Sequence, residues 1–341
     1  MTWTKENIDL LKGYLEDGCS RREIAQKMNI SFNSVVHAMR NYELKSSPTL
    51  KAIKTVQSID MQALNEENFE QFKEEAKLKW TPVKTKIPKN PKKPYKIALV
   101  TTDYHIPEQD DPSVRAVLRL MDDVKFDVNI ILGDFLDYGC ISHWNQGRNK
   151  TLEGTRLKQD YIRGNVLLDE IDKRLPQGCE KHFFKGNHEV WVDDLIEKTP
   201  QLEGLVEPES QLFLEHRGYK VYPYNEVIEF GRLHLTHGIY AGANPTKKHL
   251  DELKVNIMFG HTHTMEVRMS SSAARKIAFS GYNVGCLCHM CPDYMRNRPS
   301  GWTNGIAIVY LYPNGYFDVN MIRIIEGKFI FNGKIYDGNI K

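Results

Sequence analysis

Residues that can bind metal ions follow five short apolar segments of this 341-residue sequence. The segments IALVTT, NIILG, HFFKG, LHLT and IMFG have the length and composition of buried β-strands. The third is predicted to extend over EKHFFKGNHE, 180–189, and the tail, 305–338, to form antiparallel hairpins at Pro-Asn-Gly, Glu-Gly and Asn-Gly turns. The residues that follow them are Asp103, His105, Asp134, Asn187, His188, His237, His261 and His263. Because the carboxyl ends of strands form one edge of an α/β sheet, we expect these side chains to converge there.

The chemical types of these side chains indicate the kind of metal site. Carboxylate and imidazole groups without a thiolate suit Mn²⁺, Fe or Zn²⁺. Apart from His188 the set contains seven ligands, too many for one ion but sufficient for two ions that share a carboxylate. Two ions roughly 3.5–4 Å apart clamp a phosphate for in-line attack on phosphorus. We therefore predict two divalent ions, with Mn²⁺ as the expected metal and Fe, Zn²⁺ or Ni²⁺ as alternatives.

Five motifs occur in a defined order: DYH at 103–105, GDFLD at 133–137, GNHE at 186–189, THG at 236–238 and GHTH at 260–263. Any one of them alone is common in ordinary loops, but five together in this order are specific. They resemble the motifs of the calcineurin-like metallophosphoesterase superfamily over residues 103–263. The resemblance implies an α/β fold in which two packed mixed β-sheets are flanked by helices.

The resemblance also implies roles for individual residues. One metal ion would be bound by Asp103, His105, Asp134 and His263, and the other by Asp134, Asn187, His237 and His261, so that Asp134 bridges them. His188 would lie above the metals, where it stabilises the transition state or protonates the leaving oxygen.

The second motif departs from one branch of the superfamily. Its protein phosphatases continue this motif with Asp-Arg-Gly, whereas here the sequence continues DYG from Asp137 and lacks the phosphate-binding arginine. GDFLD is closer to the phosphodiesterase and DNA-repair nuclease branches, so phosphate contacts must come from elsewhere. The candidates are Arg148, Lys150 and Arg156. Asp137 is expected either to hold a ligand histidine in its correct tautomer or to cap a strand end.

A cluster of cysteines, CLCHMC at 286–291, allows two interpretations. Structural zinc sites need four ligands, usually from paired cysteines, and the remaining cysteines at 19, 140 and 179 form no second pair. We therefore expect a loop beside the active site rather than a third metal site.

The first 47 residues predict a small domain of three helices. SRRE at 20–23 has the pattern of a capping box, and Ser31 can cap a third helix. The stretch from Trp3 to Tyr42 resembles DNA-binding helix-turn-helix domains, in which the third helix enters the major groove. The residues that this helix would present to DNA are Asn33, Ser34, His37 and Arg40. A module that docks onto another protein is the alternative.

Residues 48–95 are predicted to connect this domain to the catalytic domain, 96–341. Residues 60–79 can form a polar helix, and the segment after it alternates lysine with proline, which favours an extended arm. Residues 77–96 hold eight lysines and no acidic residue. Such an arm suits a polyphosphate backbone, but a solubilising linker explains it equally well.

Composition limits the class of protein. The net charge is +2, so the lysine-rich segment leaves the catalytic part acidic. The sequence has no apolar run of about 18 residues and its start does not have the pattern of a signal peptide. We therefore expect a cytoplasmic protein with reduced cysteines and no membrane partner. The sequence does not indicate an oligomeric state.

These features together predict a dinuclear metal phosphodiesterase that acts on nucleic acid, specifically a DNA nuclease. The alternative is a phosphomonoesterase or cyclic-nucleotide phosphodiesterase that uses its N-terminal domain only for localisation. A non-enzymatic DNA-binding regulator with a degenerate catalytic domain is disfavoured, because every ligand position is filled.

Overall fold

Three short helices form the described part of the N-terminal unit: α1 (Lys5–Glu16), α2 (Arg21–Lys27) and α3 (Phe32–Asn41). The capping box at the start of α2 is present, since Ser20 and Glu23 each accept a hydrogen bond from the other's backbone N–H. Ser31 caps α3 by accepting from Ser34 N. The three helices pack together through buried apolar residues that include Leu11, Ile24, Val35 and Met39.

The computed structural model describes residues 3–16, 19–42, 44, 94–145, 147, 152–272, 277–291 and 300–340. The chain divides into two units, 1–89 and 90–341. The predicted helix over 60–79, the lysine- and proline-rich segment before Pro94, and the candidates Arg148 and Lys150 lie outside the described residues.

The first sheet of the larger unit is built from six strands. They are β1 (Lys96–Thr101), β2 (Val128–Ile131), β3 (Glu180–Phe184), β4 (Tyr219–Tyr222), β10 (Gly305–Leu311) and β11 (Phe317–Arg323), in the order β11-β10-β1-β2-β3-β4. Strands β1 to β4 are parallel, whereas β10 and β11 are added antiparallel at one side. The carboxyl ends of β1, β2 and β3 therefore lie at the same edge.

The second sheet is built from five strands. They are β5 (Ile228–Phe230), β6 (Leu233–Leu235), β7 (Asn256–Phe259), β8 (Met265–Ser272) and β9 (Ile277–Val284), in the order β5-β6-β7-β9-β8. Strands β6, β7 and β9 are parallel, and β5 and β8 pair antiparallel at the two sides. Both sheets are thus mixed, as predicted.

Alternation along the strands produces the layers of the sandwich. In β1, Ala98 and Val100 face the second sheet, where they pack with residues such as Leu235 and Met258, while Leu99 faces the helices on the other side. Successive side chains of a strand point to opposite faces, so a strand with apolar residues at every position must be covered on both sides. The predicted arrangement of two packed sheets flanked by helices is confirmed.

The described helices of this unit are α4 (Asp111–Asp123), α5 (Leu157–Asp172), α6 (Asn187–Lys198), α7 (Pro208–Gln211) and α8 (Pro245–Leu253). Helices α4 and α5 pack on the outer face of the first sheet, and α8 covers the outer face of the second through Leu250. Two 3₁₀ turns, His143–Asn145 and Pro200–Leu202, complete the described helical segments. None of the described helices is both long and apolar enough to cross a membrane.

Two local predictions are confirmed only in part. The segment EKHFFKGNHE was predicted to be a strand, but β3 ends at Phe184 and helix α6 begins at Asn187, where the Glu189 side chain accepts from Gly186 N. The tail was predicted to form hairpins at Pro-Asn-Gly, Glu-Gly and Asn-Gly turns, and the first forms between β10 and β11. At Glu-Gly, however, β11 and β12 (Lys328–Phe331) lie in different sheets, and the isolated bridge there joins Ile325, after β11, to Lys328. Strand β12 instead pairs with β13 (Lys334–Asp337) in a two-stranded sheet, because its apolar residues pack with those of α4.

Candidate metal centre

The predicted ligands occupy the turns that directly follow five strands. Asp103 and His105 follow β1, Asp134 follows β2, Asn187 begins α6 after β3, His237 follows β6, and His261 and His263 follow β7. Five of them have a positive φ between 48° and 66°: Asp103, His105, Asp134, His261 and His263. Residues with a Cβ rarely adopt this conformation, and such strain is concentrated at functional sites because the surrounding structure must maintain it.

Four side chains converge as the first ligand group: Asp103, His105, Asp134 and His263. His263 Nε2 lies 3.0 Å from Asp103 Oδ1 and 3.0 Å from His105 Nε2. His105 Nε2 lies 3.6 Å from Asp134 Oδ2. All four residues are buried, so few water molecules can compete for these atoms.

The second ligand group shares Asp134 with the first and adds His237 and His261. His237 Nε2 lies 3.3 Å from Asp134 Oδ2 and 3.2 Å from Asn187 Oδ1, so the amide oxygen faces the same space. The buried His261 Nδ1 has no hydrogen-bond partner in the part of the chain that the structure describes. A buried imidazole nitrogen without a partner is costly unless it binds a cation or another polar group.

The electrostatics of the site also fit divalent cations. Burial raises the pKa of Asp103, but the charge of His263 and hydrogen bonds from His105 and His263 outweigh it and hold that pKa well below its usual range. Burial lowers the pKa of His105, but hydrogen bonds to Asp103 and Asp137 and the charge of Asp134 raise it well above its usual value. Two buried carboxylates thus attract positive charge to this space, and a dication satisfies them while leaving the imidazoles neutral.

The two ligand groups are oriented by hydrogen bonds behind the imidazole rings. His237 Nδ1 donates to Leu132 O at 2.6 Å, which leaves Nε2 free to face Asp134. His105 Nδ1 lies 3.1 Å from Asp137 Oδ1, which leaves its Nε2 free in the same way. Partners of this kind set the tautomer and the ring orientation of a ligand histidine.

His188 lies outside the two ligand groups that share Asp134, and it forms a separate candidate group with His105 and Asp137. Its Nδ1 donates to Asp137 O at 2.6 Å, and its Nε2 is 4.0 Å from Asp134 Oδ2. The backbone N–H of His188 donates to Asp134 Oδ1 at 2.9 Å. Burial lowers the pKa of this imidazole, while the charge of Asp134 opposes the shift. The ring is therefore held in one orientation with one nitrogen facing the shared carboxylate.

The close approach of two glycines explains their places in the motifs. A Cβ at Gly186 would lie 2.1 Å from Asp134 Oδ1, and a Cβ at Gly260 would lie 2.2 Å from Asp103 Oδ2. Each of these glycines therefore makes room for a carboxylate that comes from a different strand. Any side chain at either position would displace a ligand.

Glu189 organises the site although the sequence analysis assigned it no role. Its buried carboxylate accepts hydrogen bonds from Gly186 N at 2.7 Å, Asp134 N at 3.0 Å and Phe135 N at 3.0 Å. Burial and the neighbouring Asp134 carboxylate raise the pKa of Glu189 to about 7, while the backbone donors oppose this shift. The sequence signal was the last letter of GNHE, since a glutamate three residues after a helix-start position is typical of a cap.

Glu189→Gln is expected to destabilise the protein and lower its metal content. The amide keeps the shape but turns an NH₂ group toward backbone N–H donors, and each donor left unpaired costs about 1–3 kcal/mol. Because one of these donors is Asp134 N, the shared carboxylate loses its position. Thermal unfolding and metal analysis measure both effects, with the exposed Glu197→Gln on the same helix as the control. Wild-type unfolding and metal content in Glu189→Gln would contradict this role.

Cys288 of the cysteine cluster lies close enough to His105 and His263 to form a further group that could hold a metal. Cys288 Sγ lies 3.8 Å from His263 Nδ1, and burial raises the pKa of this thiol well above its usual value, so it is protonated. Cys286 is buried as well, whereas Cys291 is exposed. Among the described residues, neither Cys286 nor Cys291 belongs to a group that could hold a metal. The segment lies as a loop behind His263.

Of the other predicted contact residues, Arg156 and the four on α3 lie in the part of the chain that the structure describes. Arg156 is exposed, donates to Thr155 O and lines a groove with Cys140, Lys158 and Tyr161. On α3, Asn33, His37 and Arg40 are exposed and Ser34 is half-buried. These four lie on the smaller unit, opposite its buried Val35 and Met39.

Comparisons with known proteins find similarity at low identity. Proteins named Gene 54 protein from Mycobacterium phages L5 and D29 are 24% and 23% identical over 253 and 254 residues, covering 70% of this chain and 98% of each relative. Vps29 from Entamoeba histolytica, crystallised with zinc, aligns at 12% identity and a TM-score of 0.37 over 71% of this chain and 99% of its own. The Pseudomonas putida nuclease MPE aligns at 14% identity and a TM-score of 0.29 over 70% and 86% of the two chains. No protein-family profile matches.

Identities this low leave the chemistry of the site to be inferred from its own residues. Two carboxylates, four imidazoles and an amide are arranged in two overlapping groups around one shared aspartate. Oxygen and nitrogen donors without a thiolate suit borderline divalent metals. This ligand set could hold divalent metal ions.

Proposed function

We propose that this chain is a dinuclear metal-dependent phosphodiesterase of the calcineurin-like superfamily, and that nucleic acid is its substrate. The observation that carries the proposal is the position of one oxygen, Asp134 Oδ2, between two groups of ligands. It lies 3.6 Å from His105 Nε2 on one side and 3.3 Å from His237 Nε2 on the other. A single carboxylate facing two sets of donors is the geometry of a bridge between two dications.

The protein's own residues would divide the work as follows. Two bound divalent ions would supply the positive charge that polarises a phosphodiester and activates water for in-line attack. Asp103, Asp134 and Asn187 would supply oxygen donors and four histidines nitrogen donors, all held by backbone turns. His188 Nδ1 donates to Asp137 O, so His188 would have to be the imidazolium, protonated at Nε2 as well, to donate a proton to the leaving oxygen. The charge of the shared Asp134 carboxylate favours that form, against the effect of burial.

A substrate panel tests this proposal. Metal-free protein is reconstituted with Mn²⁺, Fe²⁺, Zn²⁺ or Ni²⁺ and assayed with p-nitrophenyl phosphate, bis-p-nitrophenyl phosphate, cyclic nucleotides, and single- and double-stranded DNA. We expect hydrolysis of the diester and of DNA, loss of both with a chelator, and two ions per chain. Hydrolysis of only the monoester or a cyclic nucleotide would favour the alternative small-substrate function. Inactivity with every metal would contradict an enzymatic role.

The nucleic-acid substrate is supported by features of the sequence outside the ligand groups. Eight lysines lie between residues 77 and 96 without an acidic residue, so the charge of this segment complements a phosphate backbone. Helix α3 presents exposed polar and basic residues on the face opposite its apolar contacts. We propose that the N-terminal unit is a DNA-binding helix-turn-helix domain and that the lysine-rich segment adds contacts to phosphate groups.

Replacing lysines 84, 86, 89, 92 and 93 by glutamine is expected to flatten the salt dependence of DNA binding. Each phosphate contact that is lost removes about one unit from the slope of log K against log salt. Hydrolysis of bis-p-nitrophenyl phosphate should stay at the wild-type rate, because none of these lysines is a ligand. Replacing the exposed Lys247 and Lys248 on α8 by glutamine serves as the control. If the slope between about 50 and about 200 mM salt is unchanged, the segment does not contact phosphate groups and is only a linker.

A further inference from the structure

Four aromatic rings run from His188 to the protein surface. The His188 and Trp191 rings are 3.8 Å apart and inclined by 33°. Trp191 meets His143 edge-on at 5.6 Å, and His143 meets Trp144 at 4.5 Å. We refer to these four rings as the aromatic ladder. It begins at a residue that faces the shared carboxylate and ends at a side chain in solvent.

The outer end of the ladder is exposed but held in place. Trp144 is 73% exposed, the largest exposed fraction among the Phe, Tyr and Trp side chains that the structure describes. Its 3₁₀ turn is nevertheless fixed, because Asn145 Nδ2 donates to Gly139 O at 3.0 Å and Trp144 N donates to Ser142 Oγ at 3.3 Å. Gly139 follows Asp137 by two residues, so the turn that carries the indole is anchored to the loop that orients His105.

The exposed Trp144 indole is suited to stack on a nucleobase, the flat aromatic part of a nucleic-acid substrate. Successive bases of one strand repeat about every 3.4 Å along a stack, and every base presents a π-face to an aromatic side chain. No centroid distance in the ladder exceeds 5.6 Å, so Trp144 lies at most about 14 Å from His188, a span of about four stacked bases. A phosphate group has no π-face, so it could not stack on the indole ring.

We propose that Trp144, supported by His143 and Trp191, is a stacking platform for a base of the substrate strand within about four nucleotides of the hydrolysed phosphodiester. The proposal rests on the proposed function and specifies its substrate, because a base must be unpaired to stack on the indole. The preferred substrate is then a single strand, a frayed end or a flap rather than the interior of a duplex.

A double-mutant cycle that combines a substitution of Trp144 with removal of one base of the substrate tests the platform. Single-stranded oligonucleotides, each with one abasic position, are compared with the intact strand using wild type and Trp144→Ala with Mn²⁺. For wild type, removing the base that stacks should lower kcat/KM roughly 5- to 150-fold. For Trp144→Ala the intact strand should be hydrolysed with a similarly reduced kcat/KM, and removing the same base should change little further. Trp144→Phe should restore part of the dependence on that base.

A matched control is available at the far end of strand β10. Tyr316 is 54% exposed and packs on Arg232, in the turn at the opposite end of β10 from the ligand groups. Tyr316→Ala should keep the wild-type response to every abasic position. Quenching of tryptophan fluorescence gives a second readout that does not depend on turnover. The part of the quenching that is lost in Trp144→Ala should appear with the intact strand and be absent with the strand that lacks the stacked base.

The outcomes separate the platform from the function on which it rests. Suppose that wild type hydrolyses the strand, and that Trp144→Ala lowers kcat/KM by the same factor on the intact strand and on the strand without the base. The platform is then wrong, but the nuclease proposal stands. If wild type hydrolyses bis-p-nitrophenyl phosphate but neither binds nor cleaves any oligonucleotide, both the platform and the nucleic-acid substrate are wrong. A preference for duplex interiors over single strands would also overturn the platform.

Discussion

Asp134→Asn is expected to abolish nearly all phosphoesterase activity and to lower the occupancy of both metals together. Asp134 Oδ2 faces His105 on one side and His237 on the other, while Oδ1 accepts from the backbone of His188. A neutral amide cannot supply a charged oxygen to two dications, and its NH₂ group would face either the ions or a backbone donor. Metal analysis and turnover of bis-p-nitrophenyl phosphate measure the two effects.

The exposed Asp194→Asn on helix α6 is the control for this variant, since it makes the same chemical change away from the ligands. It should keep two ions and full activity. Asp134→Asn protein that retains two ions and turnover within about tenfold of wild type, a loss of only about 1.4 kcal/mol in transition-state stabilisation, would refute the bridging role.

His188→Ala is expected to show the opposite combination, with metals retained and turnover lost. The imidazole is held by Asp137 O and by the Trp191 ring, and it lies outside both ligand groups that share Asp134. Losing a general acid typically lowers the rate roughly 10²–10⁴-fold. Turnover per bound metal is the measurement, and the exposed His216→Ala is the matched control.

The leaving group distinguishes the two roles that His188 can have. A p-nitrophenolate ion leaves readily without a proton, whereas the alkoxide of a nucleotide does not, so a general acid matters more for the nucleotide. His188→Ala should therefore lose more activity with DNA than with bis-p-nitrophenyl phosphate. Equal losses would indicate stabilisation of the transition state instead, and loss of metal would place His188 among the ligands.

Local sequence was sufficient for much of the fold. Apolar runs such as KIALVT and VNII predict strands that are covered on both faces, and β1 and β2 have this burial in the structure. The capping signals at Ser20 and Ser31 place the starts of α2 and α3 correctly. These predictions succeed because strand alternation and capping depend on residues within a few positions of one another.

Predictions failed where contacts distant in sequence decide the structure. GNHE continues an apolar strand in sequence, but Asn187 begins a helix because Glu189 accepts hydrogen bonds from Gly186 and from backbone groups after β2. The Glu326-Gly327 turn resembles those of hairpins, yet β12 leaves the sheet of β11 because its side chains pack with α4. A turn motif specifies that the chain reverses, but not which sheet the next strand joins.

By itself the sequence determined which residue types could serve as ligands, their order along the chain and their places at the ends of strands. Only the tertiary structure decided that Asp103, Asp134 and Asn187 come from one sheet and His237, His261 and His263 from the other. It also decided that Glu189 and Cys288 lie behind the ligands and that Trp144 ends a line of rings from His188. The physical reason is that spacing along a strand fixes the face on which a side chain lies, whereas distances between strands depend on how two sheets pack.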